Sequence, residues 1–576
     1  MTLNIVRRPS PPRPPQFDAP LHPVLQRIYA ARGVASGRDL ALGMQQLLPV
    51  GTLTGVQAAA ELLCRHRDQG GLVLIVGDFD ADGATSTALL VRALRSWGFC
   101  AVDFLVPNRF EYGYGLTPEI VALAAQRHPG LIVTVDNGIS SLAGVAAARA
   151  AGIDVLITDH HLAGAALPDA NVIVNPNAAG NGFASRALAG VGVAFYVAAA
   201  LRRALQGRGQ LPAGAPAASE LLDLVALGTV ADVVPFDVNN RILVAQGLAR
   251  IRAGRCVPGI LALLEVARRS HVTAVAADLG FAVAPRLNAA GRLTDMSIGI
   301  RCLLSDRLEE ARAAARELDE LNTQRRQIET RMQAEALSAI RVLREPGSAI
   351  HRDGVCLFHA TWHQGVVGLV ASRVKERLRR PVIAFAQADQ VTLRGSARSI
   401  PGVHVRDLLD SIAVAQPGLI QRFGGHAMAA GLTLEACHLD RFAQAFDAAC
   451  AQTLGRLGSP DVIETDGALE ADELALPLAV ALRAGGPWGP GFPEPLFDGV
   501  FRIQTARVVG ERHLKLGVSA PEGRGQFDAI AFNFIDPSEQ GGALPTGAAH
   551  LVYRLDANDY QGESRLQFVI EHLLPA

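Results

Sequence analysis

The chain has few of the features that mark membrane, secreted or disulfide-linked proteins. No run of about 18 apolar residues occurs, so we predict no membrane span, although 49% of the residues are hydrophobic and the mean hydropathy is +0.22. The proline-rich start, residues 7–15, has no apolar core of the kind that signal peptides carry. The seven cysteines include no Cys-x-x-Cys pair, which argues against a zinc motif and a disulfide framework and favours a reducing cytosol.

The chain also lacks an excess of charge of either sign. Its 54 Lys and Arg residues balance 55 Asp and Glu residues, which leaves a formal net charge of −1. Nucleic-acid-binding proteins are commonly basic, so the overall charge argues mildly against DNA binding, although a local basic channel remains compatible with it. With 576 residues, the chain is long enough for roughly three to four domains.

Three carboxylates at alternate positions follow a short apolar run. Asp78, Asp80 and Asp82 come directly after residues 71–77, and Gly83 follows them. Like charges this close raise one another's pKa, and a hard divalent cation that prefers carboxylate oxygens relieves the repulsion. We therefore predict a metal site at the carboxyl end of a buried strand, where open α/β sheets place their ligands.

Simpler structures could use the same residues. Asp-x-Asp-x-Asp-Gly also begins an EF-hand loop, but the twelfth position, which requires Glu, is Leu89. The segment before Asp78 is also strand-like rather than an exposed amphipathic helix. A structural acidic turn remains an alternative, and a single Asp after a strand is commonly a helix N-cap.

Three further apolar runs, at 131–135, 155–158 and 224–231, each end in an acid or a histidine. The polar residues that follow the runs are Asp136, Asp159, His160, His161 and Asp232. We predict that all three runs are buried parallel strands, with crossover helices at 84–97 and 117–127. Because such strands end at one edge of a sheet, we expect Asp136, either His160 or His161, and Asp232 to converge with Asp80 and Asp82. Carboxylates with one imidazole suit two Mn²⁺ or Mg²⁺ ions better than one Zn²⁺, and two such ions can clamp the oxygens of a phosphoryl transfer.

Four of these motifs resemble motifs I to IV of the DHH phosphoesterases. They are Gly-Asp-Phe-Asp-Ala-Asp-Gly at 77–83, Val-Asp-Asn-Gly at 135–138, Thr-Asp-His-His at 158–161 and Gly-Thr-Val-Ala-Asp at 228–232. Within that superfamily the chain is most similar to the RecJ group of bacterial single-stranded-DNA-specific exonucleases, on three further stretches at 285–292, 362–368 and 424–431. The last two stretches resemble the accessory DHHA1 domain. The similarity runs in order from about residue 50 to the C-terminus.

The resemblance implies roles for individual residues. The implied metal ligands are Asp78, Asp80, Asp82, Asp136, His160 and Asp232, with Asp136 bridging two ions. The implied catalytic residues are Asp136, Asp159, His160 and His161. Asp159 is expected to orient an imidazole, whereas the role of His161 stays open between metal binding, contact with the scissile phosphate and orientation of a neighbour.

A second set of residues is predicted to contact DNA. Its members are Arg109, Tyr114, Arg286, Asn288, Arg292, Arg373, Ser396, Arg398, Gly425 and His426. A guanidinium suits phosphate oxygens, an aromatic ring can stack on a base, and glycines allow close approach of the backbone to a phosphate. The alternatives are a solvated surface charge for any single arginine and an ordinary turn for Gly-Gly-His at 424–426.

We predict an α/β multidomain architecture. An N-terminal extension (1–49) precedes a parallel-sheet DHH domain (50–304), and a long connecting helix (305–345) without Pro or Gly leads to an α/β DHHA1 domain (346–455). The polar middle of that helix, residues 322–327, is expected to face a cleft or solvent. Short alternating strands at 501–509, 513–518, 527–534, 550–555 and 565–570 predict a C-terminal OB-like nucleic-acid-binding barrel within residues 456–576.

The resemblance implies a metal-dependent exonuclease that degrades single-stranded DNA from the 5′ end to mononucleotides, in DNA repair and recombination. The expected cofactors are two divalent cations, Mn²⁺ or Mg²⁺. The expected substrate is single-stranded DNA with a free 5′ end, and a helicase and a single-strand-binding protein are candidate partners. We expect a monomer in the bacterial cytoplasm, with no membrane partner.

Two alternatives to this activity remain. One is a DHH phosphodiesterase of short oligonucleotides or cyclic dinucleotides, and the other is a non-catalytic single-stranded-DNA-binding scaffold. Comparing activity on a long strand with activity on a dinucleotide distinguishes the first alternative from the exonuclease. The metal content of the protein distinguishes the scaffold from the enzyme.

Overall fold

The computed structural model describes residues 4–9, 11, 15, 17, 21–107, 115–164, 166–343, 353–457, 462–510, 512–520, 525–535, 544–560 and 563–575. Two predicted DNA-binding residues, Arg109 and Tyr114, therefore lie outside the described residues. The chain divides into two compact units. One contains Ala289–Thr294 and Glu317–Val462, and the other contains Leu3–Asn288, Asp295–Arg316 and Ile463–Ala576.

The helices were compared with the length and hydropathy that a membrane span requires. Among the described residues, no single helix is long and apolar enough to cross a membrane. Two consecutive helical segments, Met44–Thr52 and Val56–Gln69, reach the required length and hydropathy only when counted together, and a bend of 77° lies between them.

The N-terminal region is anchored to a distant part of the chain. Strand β1 (Asn4–Arg7) pairs with the later strand Val462–Thr465, and helix α1 (Pro23–Ala31) ends beside Arg32. The Arg32 guanidinium donates to both carboxylate oxygens of Asp466, at 2.7 and 3.0 Å, and the two side chains are 2% and 1% exposed. Arg8 donates to the same carboxylate at 3.2 Å. The described part of the predicted extension is thus integrated into the fold.

Replacing Asp466 by asparagine is expected to lower the free energy of unfolding by about 3–5 kcal/mol, because the buried guanidinium of Arg32 would keep its charge without a carboxylate to balance it. Chemical denaturation measures the loss. In the matched control, Asp306→Asn removes a carboxylate that is 80% exposed and pairs with Arg92, and that exposed pair is expected to contribute at most about 1 kcal/mol. Equal losses in the two variants would contradict the argument from burial.

A five-stranded parallel sheet of order β3-β2-β4-β5-β6 forms the centre of the larger unit. Its elements are α2 (Val56–Gln69), β2 (Val73–Gly77), α3 (Ala81–Ser96), β3 (Val102–Leu105), α4 (Pro118–Ala125), β4 (Leu131–Val135), α5 (Leu142–Ala150), β5 (Asp154–Thr158) and β6 (Val172–Val174). Every residue of β2 and β4 is buried, which explains why these strands are apolar without alternation. Strands β2, β4 and β5 are neighbours, so the polar residues after them share one edge.

The fourth predicted strand is a helix, and that prediction is wrong. The chain continues through α6 (Gly190–Gly207), α7 (Leu222–Ala231) and α8 (Val238–Arg252), and α7 covers the apolar run that ends at Asp232. Leu222 to Thr229 are all buried in α7, so this helix is apolar on every side. Periodicity cannot separate a helix of that kind from a buried strand.

The chain continues through α9 (Pro258–Val266), α10 (Ala276–Asp278), a π-helical turn (Leu279–Val283), α11 (Ala284–Leu293) and α12 (Ser297–Leu304). The predicted long helix is α13 (Leu308–Leu343). Its polar middle does not simply face solvent, because Asn322 is 1% exposed. Arg325 donates to the Asn322 carboxamide oxygen at 2.6 Å and pairs with the carboxylate of Glu329. The polar middle therefore forms a largely buried network.

The DHHA1 region is a mixed sheet of order β10-β11-β9-β8-β7 between two helical layers. Its elements are β7 (Val355–Phe358), α14 (Val367–Leu378), β8 (Val382–Gln387), β9 (Thr392–Arg398), α15 (Val405–Ala415), β10 (Arg422–Gly425), β11 (Ala429–Glu435) and α16 (Leu439–Leu457). Phe385, Phe442 and Phe446 pack in the core on one face, and Trp362 and Val370 pack on the other. The predicted second α/β domain is thus confirmed.

The C-terminal region is a closed five-stranded barrel of order β13-β14-β15-β17-β16. It follows β12 (Val462–Thr465) and α17 (Leu476–Ala484), and its strands are β13 (Phe497–Val509), β14 (His513–Ser519), β15 (Gln526–Ala531), β16 (Gly547–Tyr560) and β17 (Glu563–Pro575). The rings of Tyr553 and Phe568 stack in its core at 4.6 Å. Strand β15 was predicted to extend to residue 534 but ends at Ala531. Asn533 has a φ of 53°, which is incompatible with an extended strand.

Candidate metal centre

The loop from β2 to α3 presents the first two carboxylates. Asp80 is the N-cap of α3, and its Oδ1 accepts from the N–H groups of Asp82 and Gly83, both at 3.0 Å. The N-cap alternative is therefore real, and it occupies one oxygen of the Asp80 carboxylate. A Cβ atom on Gly83 would lie 2.6 Å from the carbonyl oxygen of Asp78. Glycine at this position lets the loop fold back so that Asp78 and Asp80 point to the same side.

The third carboxylate is held by the N-terminus of α6. Asp82 is 1% exposed and accepts from the N–H groups of Gly190 at 2.6 Å and Val191 at 3.0 Å. A helix N-terminus stabilises negative charge. The sequence reasoning missed this contact, and the small residues at 189–192 are the only sign of it in the sequence.

Asp136, at the end of β4, has an unusual backbone. Its φ of 61° lies in the left-handed region, which non-glycine residues adopt at a cost of order 1–3 kcal/mol. The side chain is 1% exposed. A Cβ on Gly190 would lie 2.6 Å from the Asp136 Cβ, so the glycine also makes room for this carboxylate.

His160 lies between two carboxylates. Its Nε2 is 3.1 Å from Oδ1 of Asp136 and 3.5 Å from Oδ2 of Asp232, which follows the last turn of α7. Burial lowers the pKa of His160 below 6.5, and the neighbouring imidazole of His161 adds to the effect. The imidazole is therefore neutral at pH 7, the form that binds metals.

His161 pairs with Asp159 instead. Its Nδ1 lies 2.8 Å from Oδ1 of Asp159, and that carboxylate also accepts the N–H groups of Ile139, His160 and His161 at 2.7–3.0 Å. Burial alone would lower the pKa of His161, but the hydrogen bond and charge of Asp159 outweigh it and raise the pKa to about 9. His161 is therefore an imidazolium at neutral pH.

The ligand atoms of the predicted metal residues come together in overlapping groups of three, each within 4.8 Å. The groups are Asp78, Asp80 and Asp136; Asp136, His160 and His161; and Asp82, His160 and Asp232. Asp136 and His160 belong to two groups each. The residues of these groups are therefore candidates to hold divalent cations.

The donor atoms fit divalent cations. Oδ2 of Asp232 and Nε2 of His160 are buried and make no hydrogen bond with the described residues. Buried polar atoms nearly always have a hydrogen-bond partner, so two such atoms in one cluster indicate that a cation belongs between them. A set of carboxylates with one neutral imidazole suits Mn²⁺ or Mg²⁺.

Without a cation the cluster retains protons. Burial raises the pKa of Asp82 to about 8, and the charge of Asp232 adds to it. Burial and the charge of Asp80 raise the pKa of Asp232 to about 7. Burial and the carboxylates around it also raise the pKa of Asp136 well above 3.8. Metal binding must therefore displace protons.

The stability of the metal-free protein is expected to fall as the pH rises from about 6.5 to about 8, because Asp82 and Asp232 hold protons in the folded state that they have lost in the unfolded state. The raised pKa of His161 also makes the stability fall as the pH rises. The lowered pKa of His160 has the opposite effect on stability, but only at pH values below about 6.5, the usual pKa of histidine. Thermal unfolding in EDTA measures the trend, and the stabilisation by Mn²⁺ should grow over the same interval.

Asp82→Asn is the control for this pH dependence, because the amide does not titrate. Its melting temperature in EDTA should depend less on pH than that of the wild type. A melting temperature that rises towards pH 8 in the metal-free wild type, or an Asp82→Asn variant with an unchanged slope, would contradict the assignment.

Two asparagines hold the loops of the cluster. The Asn137 carboxamide donates to the carbonyl oxygens of Val76 at 3.2 Å and Val135 at 2.9 Å, which ties the ends of β2 and β4 together. Asn288, predicted to contact DNA, instead uses its carboxamide oxygen to accept the N–H of Ala81 at 2.8 Å. The sequence analysis placed Asn137 in the motif at 135–138 but predicted no role for it.

Three predicted DNA-binding arginines are engaged within the protein. Arg286 is 8% exposed and donates to the carbonyl oxygen of Ala282. Arg292 donates to the carbonyl oxygen of Gly365 at 3.2 Å. The half-exposed Arg373 lies 3.2 Å from a carboxylate oxygen of Glu329 and 3.3 Å from one of Glu376. Each has a structural role that any DNA contact would have to share.

Ser396 and Arg398 lie together on β9. The Arg398 guanidinium donates to the Ser396 hydroxyl at 2.9 Å, and both pack against the first turn of α14, where a Cβ on Gly368 would lie 2.7 Å from the guanidinium. Gly425, the last residue of β10, has a φ of 136°, and His426 follows it in the exposed turn before β11. Strand β11 lies between β10 and β9, and the N–H of Ser399, just after β9, donates to the carbonyl oxygen of Met428 in this turn at 2.9 Å.

The chain is similar to known proteins over most of its length. Family models match the DHH family, N-terminal domain, at residues 72–229, the DHHA1 domain at 352–452 and the RecJ OB domain at 465–572. The single-stranded-DNA-specific exonuclease RecJ of Salmonella typhimurium is 51% identical over 566 residues, which are 97% of each chain. That of Thermus thermophilus is 34% identical over 490 residues, 84% of this chain and 67% of the relative.

Solved structures extend the comparison. The crystal structure of Thermus thermophilus RecJ in complex with Mn²⁺ has a TM-score of 0.78 and 31% identity, over 96% of this chain and 76% of that chain. A structure of exonuclease RecJ bound to manganese has a TM-score of 0.58 and 34% identity, over 72% of this chain and 97% of that chain. The chain belongs to the RecJ family of DHH phosphoesterases.

Proposed function

We propose that this protein is an exonuclease that hydrolyses single-stranded DNA from its 5′ end to mononucleotides with two divalent cations, Mn²⁺ or Mg²⁺. The observation that carries the proposal is the overlap of three ligand groups at Asp136 and His160. The relatives are named as single-stranded-DNA-specific exonucleases, and two structures of the Thermus thermophilus relative are complexes with Mn²⁺ and with Mg²⁺.

Asp78, Asp80 and Asp136 would hold one cation, and Asp82, His160 and Asp232 would hold the other, with Asp136 between them. The bound cations would lower the pKa of an attacking water and neutralise charge on the phosphate. The α6 N-terminus fixes the orientation of Asp82, and the strained backbone of Asp136 directs its carboxylate into the cluster. Both carboxylates are therefore positioned before substrate arrives, which avoids reorganisation during the reaction.

We assign His161 to the scissile phosphate rather than to a cation. Asp159 holds its Nδ1 and keeps the ring protonated, with a pKa of about 9. An imidazolium repels a metal ion but donates a charge-assisted hydrogen bond to a phosphate oxygen. Asp159 acts through His161 as a positioning residue.

In the DHHA1 domain, Ser396 and Arg398 would bind a DNA phosphate. They lie at the N-terminus of α14, where backbone N–H groups and the helix dipole favour an anion. Gly425 and the exposed His426 lie on the same sheet and are further candidates for contact with the DNA. A site of this kind that binds a terminal 5′-phosphate would give the enzyme its polarity.

The cellular setting follows from the substrate. A bacterial exonuclease of single-stranded DNA acts in the cytoplasm, and repair and recombination supply such strands. A helicase and a single-strand-binding protein would present them. We propose that the enzyme acts as a monomer.

Single-stranded oligonucleotides labelled at the 5′ or the 3′ end test the proposal. In Mn²⁺ or Mg²⁺, the 5′ label should appear at once as a mononucleotide, whereas the 3′ label should stay on shortening strands. EDTA should abolish both the release of the 5′ label and the shortening of the 3′-labelled strands. A duplex with blunt ends should be resistant.

Other outcomes identify the alternatives. Cleavage of dinucleotides with no activity on long strands would indicate a phosphodiesterase of short substrates. DNA binding without cleavage in any metal would indicate a scaffold protein. Release of the 3′ label first would overturn the proposed polarity.

A further inference from the structure

A second group of metal-binding side chains lies in the DHHA1 domain, outside the carboxylate cluster. Glu435, Cys437 and His438 each offer one ligand atom, and the three atoms lie within 4.8 Å of one another. The side chain of Cys437 is exposed, whereas Glu435 and His438 are partly buried. The proposed nuclease reaction uses none of these residues.

The backbone holds this group in place. Strand β11 ends at Glu435, and a single 3₁₀ turn, Ala436–His438, leads directly into α16. The N–H of Ala436 donates to the carbonyl oxygen of Val391 at 2.8 Å, which fixes the turn to the connection between β8 and β9. The three ligand atoms lie within 4.8 Å of one another, so the turn brings Glu435 and His438 to one side. Binding an ion here would require little ordering of the chain.

The hydrogen bonding of the group is incomplete. Nδ1 of His438 is buried and has no hydrogen-bond partner among the described residues. Sγ of Cys437 lies 3.6 Å from a carboxylate oxygen of Glu435. Since a buried ring nitrogen normally has a partner, the unsatisfied imidazole beside a thiol and a carboxylate fits a cation-binding group.

We infer that Glu435, Cys437 and His438 form a binding site for a thiophilic divalent cation of the zinc class. Thiolate and imidazole ligands favour Zn²⁺, whereas Mg²⁺ and Mn²⁺ favour oxygen. The ionised carboxylate and thiolate together balance the charge of the cation. Three protein ligands with an exposed side leave the fourth tetrahedral position to water.

An ion at this site would link the end of strand β11, in the DHHA1 sheet, to the start of helix α16. Strand β11 pairs with β9 in a register that places Gly431 opposite Ser396 and Ala429 opposite Arg398. Occupancy would therefore stabilise the strand beside the proposed phosphate contacts.

Co²⁺ is the probe for this site. The reduced full-length protein, with Mg²⁺ in excess for the carboxylate cluster, is titrated with Co²⁺ and its near-ultraviolet absorption is recorded. A cobalt–thiolate bond absorbs there, whereas oxygen and nitrogen ligands do not. We expect one equivalent of this absorption in the wild type and none in Cys437→Ser. In His438→Gln, half-saturation should need at least about tenfold more Co²⁺.

Two controls make the result specific. Cys100→Ser removes another exposed cysteine and should keep the band. Asp136→Asn alters the carboxylate cluster and should also keep it, so the outcome is independent of the proposed nuclease activity. A wild type without the band, or a Cys437→Ser variant that retains it, would overturn the inference.

Discussion

Replacing Asp136 by asparagine is expected to lower the rate of single-stranded-DNA hydrolysis by about 10³-fold or more, because charge stabilisation by the cations contributes several kcal/mol. Asp136 shares one proposed cation position with Asp78 and Asp80, and its Oδ1 lies 3.1 Å from Nε2 of His160 in the other, so its loss is expected to weaken both. Asparagine keeps the shape of the side chain and tolerates the left-handed backbone. Release of the 5′ label measures the rate, and calorimetry with Mn²⁺ measures the loss of binding.

Asp169→Asn is the matched control, since it removes a carboxylate that is 91% exposed and should leave both rate and Mn²⁺ binding unchanged. The metal-free Asp136→Asn protein should melt at a higher temperature than the metal-free wild type, because one of several crowded carboxylates is gone. Normal hydrolysis by Asp136→Asn would refute the proposed role of this residue.

Gly190→Ala is expected to reduce hydrolysis by about 10²-fold, since a displacement of about 1 Å in a reacting group costs roughly that factor. The added methyl group would lie 2.6 Å from Cβ and 2.8 Å from Oδ1 of Asp136. Either that carboxylate moves, or the α6 N-terminus withdraws and loses its two hydrogen bonds to Asp82. Affinity for Mn²⁺ should fall together with the rate.

The same helix provides the control. Gly207 is the last residue of α6, and a Cβ added there meets no atom within 4 Å. Gly207→Ala should therefore keep full activity and the stability of the wild type or slightly more. Equal behaviour of the two alanine variants would show that crowding at Asp136 is not what glycine prevents.

Much of the parallel sheet could be predicted from sequence because short buried strands carry a strong local pattern. Strands β2, β4 and β5 lie where apolar runs end in polar residues, and adjacency in the sheet brings those residues together. The run before Asp232 has the same composition but forms α7. Burial on all sides removes the periodicity that would distinguish the two structures.

The detailed geometry of the site depends on contacts between residues that are far apart in the sequence, which a local sequence pattern cannot predict. Gly190 and Asp82 are 108 residues apart in the chain, and Asn288 and Ala81 are 207 apart. The order Asp159-His160-His161 also cannot show which imidazole pairs with the acid. The structure resolves this, because the Asp159 carboxylate reaches Nδ1 of His161 while His160 faces Asp136 and Asp232.

The ion pair between Arg32 and Asp466 has a consequence for the order of events on the ribosome. Its partners are 434 residues apart in the chain, and translation at about 5–20 residues per second separates their emergence by roughly 20–90 s. During that interval the first helix and strand cannot reach their native positions, so the nascent DHH domain must fold with its N-terminal segment undocked. Completion of the native fold thus waits for the final quarter of the chain, and premature termination would leave an arginine-rich N-terminus without its partner.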